Sequence, residues 1–295
     1  MFPFTQRLSL HAFGSTAKAQ MKMDDFNTLS SNDKQRGNLC AVLIYPQGLT
    51  RAWGAFGLSG FSWNAGGCCP KETTLMVDDV KFMKQVIETV TKYIVTTYAH
   101  QHKPKHTFIV GVSNGGMLAN RLTCELNFTS LRAFASISGP LVLKNDTRLA
   151  PIVCDRTKRG LPPVPLLHIH GKKDPIVPFG GCNSTYASFG KACIWLHAQN
   201  PDMAAFPDIP TYVNDWRMRN GQERDVLQTV TFQNQTVTCK SSGNKLNNVT
   251  LCVAEKEGHS WPGANIGCSK LAPQLNCTND IDASNAVWNF FESLV

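Results

Sequence analysis

Three side chains in this sequence are of the types, and in the order, that acyl-transfer chemistry requires. Ser113 is the centre of Gly111-Val112-Ser113-Asn114-Gly115, a G-x-S-x-G pattern. Phe108 to Val112, just ahead of it, is a β-branched and aromatic run that predicts a buried strand, and Met117 to Leu126 predicts a helix. A strand that enters a helix through one serine must turn sharply, and glycine on both sides removes the Cβ that would strike the neighbouring backbone. The turn lifts the hydroxyl out of the sheet and aims a helix N-terminus at it, where an oxyanion can be held. Asp174, in Gly171-Lys172-Lys173-Asp174-Pro175, follows the run Leu166 to His170, and His259 follows the last apolar strand in Glu257-Gly258-His259-Ser260-Trp261-Pro262-Gly263. Singly, these have ordinary readings: a β–α turn, an Asp before Pro in a turn, an exposed loop histidine. Together they meet a chemical need. A serine hydroxyl is a poor nucleophile until an imidazole takes its proton, and a carboxylate fixes the imidazole tautomer and stabilises its charged form. Ser113, Asp174 and His259 are therefore the candidate catalytic residues, in the chain order of an α/β-type triad.

The elements that must position them alternate. Residues 7–13 predict a strand ending at His11-Ala12; a helix-compatible stretch follows, with Met23, Phe26 and Leu29 at helical spacing. Leu39 to Tyr45 is a continuous apolar run, as in a strand covered on both faces. Residues 49–71, rich in Gly, Ser and Trp, have the composition of an exposed loop. Val80, Met83, Ile87, Val90, Ile94 and Tyr98 mark a long helix over 77–99. Strands are expected near 133–138, 164–170, 226–233 and 249–254, a helix around Tyr212, Val213 and Trp216, and a last helix over 281–294. Residues 182–210 read as irregular, with Pro201, Pro207 and Pro210 as breaks. Such alternation predicts an α/β class: one domain over 1–295, with a mostly parallel central sheet and helices on both faces.

Composition narrows the function. The 295 residues are 42% hydrophobic and 17% charged, ordinary globular values, and no apolar run is long enough to span a membrane. Net charge is +8, but the densest basic spots, Arg156 to Arg159 and His100 to His106, lack interleaved aromatics; they read as solvated loops, not a nucleic-acid site. An attraction to acidic polysaccharide remains open. His168 and His170 share a strand face, yet no downstream histidine–acid cluster completes a metal site, so they read as core residues or as supports behind the site. Asp78 and Asp79 open the long helix, where carboxylates favour the dipole. Eleven cysteines without C-x-x-C spacing favour disulfides in an oxidising compartment. Cys239 and Cys252 flank a polar turn between strand-like segments and are a candidate pair; Cys182–Cys193 and Cys268–Cys277 bracket short loops, and Cys68 or Cys69 could reach Cys124. Six sequons, at Asn127, Asn145, Asn183, Asn234, Asn248 and Asn276, are candidate glycosylation sites and agree with secretion. Met1-Phe2-Pro3-Phe4 is not a signal peptide. The expectation is therefore an extracellular protein whose natural N-terminus lies upstream, with an unpaired sheet edge beside the Arg7–His11 strand.

SWNAGGCC, VDDVKFMKQVI, GVSNGGMLANRL, LLHIHGKKDPIVPFGG, GHSWPG and IDASNAVWNFF resemble consecutive blocks of the polyhydroxybutyrate depolymerase and feruloyl esterase family of secreted α/β-hydrolases. The blocks run in order across nearly the whole chain. The resemblance implies an α/β-hydrolase fold with N-terminal strands missing or shortened, and Ser113 as nucleophile, Asp174 as acid and His259 as base. It also implies carboxylic-ester hydrolysis through an acyl-enzyme, without metal or organic cofactor. The block usually reading Leu-His-Gly stands here as Leu10-His11-Ala12-Phe13. A backbone N–H of Ala12 or Phe13 would join that of Asn114 in the oxyanion hole, and Ala in place of Gly cannot relax into positive φ. A catalytically weak or inactive hydrolase-fold binding protein is the alternative. Trp63, Asn64 and Trp261 lie in loops near the expected site and are candidate substrate walls for a planar feruloyl group or a sugar face. The expected substrate is a feruloyl or polyhydroxyalkanoate-type ester, free or polymeric, and the expected state is a monomer.

Overall fold

A computed structural model describes residues 4–35, 40–53, 58–68, 77–97, 103–142, 154, 156–182, 206–223, 226–264 and 277–295. The elements run β1 (Phe4–Leu10), α1 (Ala17–Asp24), α2 (Phe26–Gln35), β2 (Cys40–Ile44), β3 (Leu49–Trp53), β4 (Leu58–Ser62), α3 (Asp79–Thr97), β5 (His106–Val112), α4 (Asn114–Glu125) and β6 (Leu131–Ile137). A 3₁₀ turn at Thr157–Arg159 follows, then β7 (Leu166–Gly171), α5 (Ile209–Arg219), β8 (Thr229–Gln233), β9 (Val237–Ser242), β10 (Val249–Ala254) and α6 (Ala283–Glu292).

Eight strands form one sheet in the order β2-β1-β5-β6-β7-β10-β9-β8. The first six are parallel, and β9 and β8 complete the sheet through antiparallel pairs. Alternation along each buried strand divides the core in two. Leu166 of β7 joins Leu8, Leu10, Ile109 and Phe134 beneath α3, α4 and α5. Leu167 and Ile169 face the other way, with Phe108, Val110 and Ile137, against Phe26 and the α6 residues Val287, Trp288 and Phe291. Arg7 is buried on this second face, its guanidinium 3.7 Å from the Trp288 ring and paired with Glu292. It joins the last helix to the first strand.

Three expectations need correction. Among the described residues the unpaired edge lies not on the Arg7 strand but one strand further out, because β1 pairs with both β2 and β5 and β2 ends the sheet order. The stretch 49–71 is not an exposed loop: β3 and β4 make an antiparallel hairpin, and Ser62 to Cys68 are buried beyond it. The strand-like segment around Cys239 is β9, which pairs with β10 as expected. Arg156 is not solvated but 4% exposed, and its guanidinium donates to the carbonyls of Thr123, Leu126, Phe128 and Pro162. It satisfies the oxygens at and beyond the end of α4, where the helix dipole favours a cation.

Disulfides follow the fold. Cys239 and Cys252 are opposite residues of β9 and β10 and are bonded. Cys124 bonds Cys154, which corrects the pairing with Cys68 or Cys69. Cys182 and Cys277 are disulfide-bonded; their expected partners Cys193 and Cys268 lie outside the described residues. So do Asn145, Asn183, Asn276 and nearly all of 182–210. Asn127 and Asn234 are exposed, whereas the Asn248 amide donates to Ser241 Oγ at 2.6 Å.

Candidate active site

Ser113 stands between β5 and α4 with φ +54° and ψ −123°, a conformation that L-residues rarely adopt. Close packing explains both motif glycines. A Cβ on Gly111 would lie 2.3 Å from the Gly115 carbonyl, and one on Gly115 would lie 2.3 Å from Leu10 O and 2.6 Å from His11 O. The turn is thus pressed against its own strand and against the end of β1. Ser113 N–H donates to Ile137 O at 2.8 Å, which ties the turn to β6.

The three candidate residues meet. The Ser113 hydroxyl lies 2.8 Å from His259 Nε2, and His259 Nδ1 lies 2.7 Å from Asp174 Oδ2. A carboxylate can only accept, so Nδ1 carries the ring proton and Nε2 is free to take one from serine. Asp174 Oδ1 accepts from the N–H groups of Ile176, at 2.9 Å, and Val177, at 2.8 Å. Burial pushes the Asp174 carboxyl up, but the His259 charge and hydrogen bond, His170 and the Val177 N–H more than offset it, so the group lies below its ordinary value. The anion is the form this pocket holds.

Next to the serine, the register ends at Leu10↔Gly111, and Leu10 O and His11 O lie against Gly115. Ala12 does not adopt positive φ, so alanine meets no backbone strain there. The leading N–H groups of a helix have no intrahelical partner, and the Ser113 side chain does not cap those of α4. The loop is held firmly. His11 Nε2 accepts from Gly48 N–H at 3.0 Å, and Trp63 Nε1 donates to His11 O at 2.9 Å. Burial keeps His11 below its ordinary value, the neutral form this contact needs.

The expected substrate walls are corrected by the structure. Trp63 is 0% exposed and exchanges backbone–amide bonds with Asn114, at 2.7 and 3.0 Å. Asn64 is buried and spends its amide on Val77 O, Gly66 N–H and Arg121. Trp261 is 1% exposed, with its indole N–H on Ser284 Oγ. These side chains support the loops from within and present no ring to a ligand. Of the two helix-opening acids, Asp79 accepts from Asn64 N–H at 2.5 Å and Asp78 from Lys81 N–H at 2.9 Å.

Sequence reasoning passed over Glu257. Its carboxylate accepts from Ser260 Oγ and from the Thr278 N–H and hydroxyl, bracing the loop that carries His259. Its carbonyl accepts from Lys173 N–H at 3.0 Å, joining the loops of base and acid. Lying two residues before the histidine in a charged run, it has no hydropathy signal of burial.

The sheet order and the strand–serine–helix turn are those of the α/β-hydrolase fold. Residues 72–206 match the model of the Phospholipase/Carboxylesterase family. A protein of Nocardia uniformis subsp. tsuyamanensis named "Putative esterase NocK" is 26% identical over 263 residues, 87% of this chain. The chain spans 65% of the length of that relative. Among solved structures, the chain is similar to an acetyl xylan esterase from Aspergillus awamori (11% identity, 88% of this chain and 84% of that one, TM-score 0.48). It is also similar to a poly(3-hydroxybutyrate) depolymerase from Bordetella parapertussis (14% identity, 70% and 72%, TM-score 0.35). Among the described residues no helix is long and apolar enough to cross a membrane.

Proposed function

We propose that this protein is a serine carboxylesterase that works through an acyl-enzyme. The observation that carries the reading is the continuous path from Ser113 Oγ through His259 to Asp174, with contacts of 2.8 and 2.7 Å. The family match over 72–206 and the relative named as an esterase support the same class.

The steps follow from the atoms. Ser113 Oγ attacks the ester carbonyl carbon as its proton passes to His259 Nε2. The carbonyl oxygen becomes an oxyanion, held by the Asn114 N–H and by that of Ala12 or Phe13. Asp174 stabilises the imidazolium, which then protonates the leaving alkoxide and leaves an acyl-Ser113. Water enters, His259 takes its proton, and a second tetrahedral intermediate releases the acid and regenerates the serine. The reading as an inactive binding protein rested on the missing N-terminal strands and on Ala12, and it loses the second support because Ala12 does not adopt positive φ.

Within this class we assign feruloyl or hydroxyalkanoate esters, free or on a polymer, on the strength of the ordered sequence blocks; the buried tryptophans lend no support to ring stacking. Disulfides Cys124–Cys154 and Cys239–Cys252 support secretion into an oxidising medium. The test is a panel of p-nitrophenyl acetate, methyl ferulate and hydroxybutyrate oligomer, with a fluorophosphonate probe mapped by peptide analysis. Wild-type turnover, probe on Ser113, and loss of both in Ser113→Ala are expected. Turnover surviving in Ser113→Ala refutes the mechanism; hydrolysis of long-chain triglyceride alone refutes the substrate class.

A further inference from the structure

The mechanism above leaves two fully buried imidazoles unused, and they sit directly behind its acid. His168 and His170 lie on one face of β7, both 0% exposed, on the apolar side where Leu166 packs. Burying a polar ring there is costly unless its nitrogens are satisfied. The hydrogen bonds decide which nitrogens carry protons. His170 Nε2 is 2.8 Å from Val177 O, and a carbonyl only accepts, so Nε2 holds the proton. His170 Nδ1 is then bare, and His168 Nε2, 3.0 Å away, must donate to it. Burial drives each below its ordinary value, helped at His168 by His170 and at His170 by His259, and at His170 it outweighs the opposing pull of Asp174 and the Val177 carbonyl, so both rings are neutral. His168 is fixed in turn edge-on against Tyr212, with ring centroids 4.9 Å apart.

The far end of this chain touches the acid twice. Val177, whose carbonyl takes the His170 proton, gives its own N–H to Asp174 Oδ1 at 2.8 Å. The same His170 Nε2 lies 3.5 Å from Asp174 Oδ2, the oxygen that accepts from His259, while its proton is directed at Val177 O. In the other tautomer a bare lone pair would confront both Val177 O and the carboxylate. We propose that His168 and His170 form a tautomer-locked brace, in which His168 sets the ring proton of His170 and His170 positions Asp174 for His259. The brace rests on the triad reading; both histidines are positioning residues, since neither touches the reacting atoms.

Two experiments test it. Nitrogen-15 NMR of histidine-labelled wild-type protein at pH 7 should show both rings neutral with the proton on Nε2; an Nδ1 proton or a charged ring at His170 overturns the brace without reference to activity. Kinetics on p-nitrophenyl acetate form the second. His170→Leu should lower kcat about 10- to 100-fold with KM changed less than about twofold, and His170→Gln, whose amide keeps a donor for Val177 O, should recover most of the loss. His168→Phe should cost about tenfold alone but under about threefold when added to His170→Gln, because glutamine has no tautomer to lose. Equal costs in both backgrounds, or wild-type kcat in folded His170→Leu, overturn the proposal. If His170→Leu does not fold, the NMR and the Phe–Gln cycle still decide. A wild-type protein that hydrolyses nothing sinks the triad reading and the brace together, which is distinct from an active enzyme indifferent to these substitutions.

Discussion

Asp174→Asn removes one charge and almost no volume, and the structure sets the size of its effect. The carboxylate accepts from three donors, Ile176 and Val177 N–H at Oδ1 and His259 Nδ1–H at 2.7 Å at Oδ2, and His170 Nε2 stands 3.5 Å from Oδ2. An amide has one oxygen, and the two rigid backbone donors claim it. Its NH₂ then replaces Oδ2 and points at the His259 Nδ1–H. His259 relieves the clash by taking the other tautomer, with Nδ1 accepting from the amide and Nε2 protonated. In that state Nε2 cannot receive the Ser113 proton across their 2.8 Å contact. A wrong tautomer with intact geometry costs about 10⁴-fold in kcat, about 5.5 kcal/mol of activation free energy. Steady-state hydrolysis of p-nitrophenyl acetate measures it, with thermal melts to show that the variant is folded and fluorophosphonate labelling expected to slow in parallel. A loss below about tenfold, or one confined to KM, would refute the reasoning, because it would mean His259 does not depend on Asp174 for its proton.

Two further outcomes concern the frame around the site. Arg156→Leu strips charged hydrogen bonds from the carbonyls of Thr123, Leu126, Phe128 and Pro162, and should destabilise the protein by about 3–5 kcal/mol in denaturant titration while the folded fraction keeps its kcat; a change under about 1 kcal/mol would show those carbonyls to be solvated. Asp24 is buried, and burial raises its carboxyl from 3.8 to about 6 although it accepts from Ser9, Phe26 N–H and Tyr45. A value raised in the folded state contributes stability that is full below the unfolded value and lost as pH climbs through about 6. Stability measured by urea titration should therefore shift in favour of Asp24→Asn over wild type by about 2–3 kcal/mol between pH 4 and pH 7.5; a difference independent of pH would refute it.

The parts of the molecule legible in its sequence are those where hydropathy and backbone geometry act together. The long helix α3 and strands β5, β6, β7 and β10 bury regular patterns, so their periods survive in the sequence. Ser113, Asp174 and His259 could be placed because each follows such a strand. What escaped was polar and non-local. β8 and the segment around Cys239 are legible as strands, but the antiparallel order that sets them at the end of the sheet is not, since β8 is exposed at all five residues and β9 carries Thr238 and Lys240 between its buried positions. Trp63 and Trp261 stand among glycines and serines, a loop composition, yet their burial comes from partners far along the chain, Asn114 and His11 for one and Ser284 for the other. Arg156 looked solvated because charge dominates its neighbourhood, and only the fold shows that helix carbonyls surround it.

The contacts from Ser113 to His259 to Asp174 join residues 146 and 85 positions apart, and side-chain hydrogen bonds alone would not hold such loops in register. Backbone bonds do. Past the strand ends, Ser113 N–H donates to Ile137 O, Ser138 N–H to Ile169 O, Lys172 N–H to Ala254 O and Lys173 N–H to Glu257 O, at 2.8 to 3.0 Å. These extend the ladder from β5 through β6 and β7 to β10, so the three functional loops continue the parallel sheet at one end of its strands. Parallel strands end side by side, and at that end open α/β sheets hold their ligands. Gly171 shows how tight the junction is, since a Cβ there would lie 2.3 Å from Glu257 O. The geometry of the site is therefore set mainly by sheet register, which no single side chain controls, while the hydrogen bonds of His259 and Asp174 choose tautomer and charge within it.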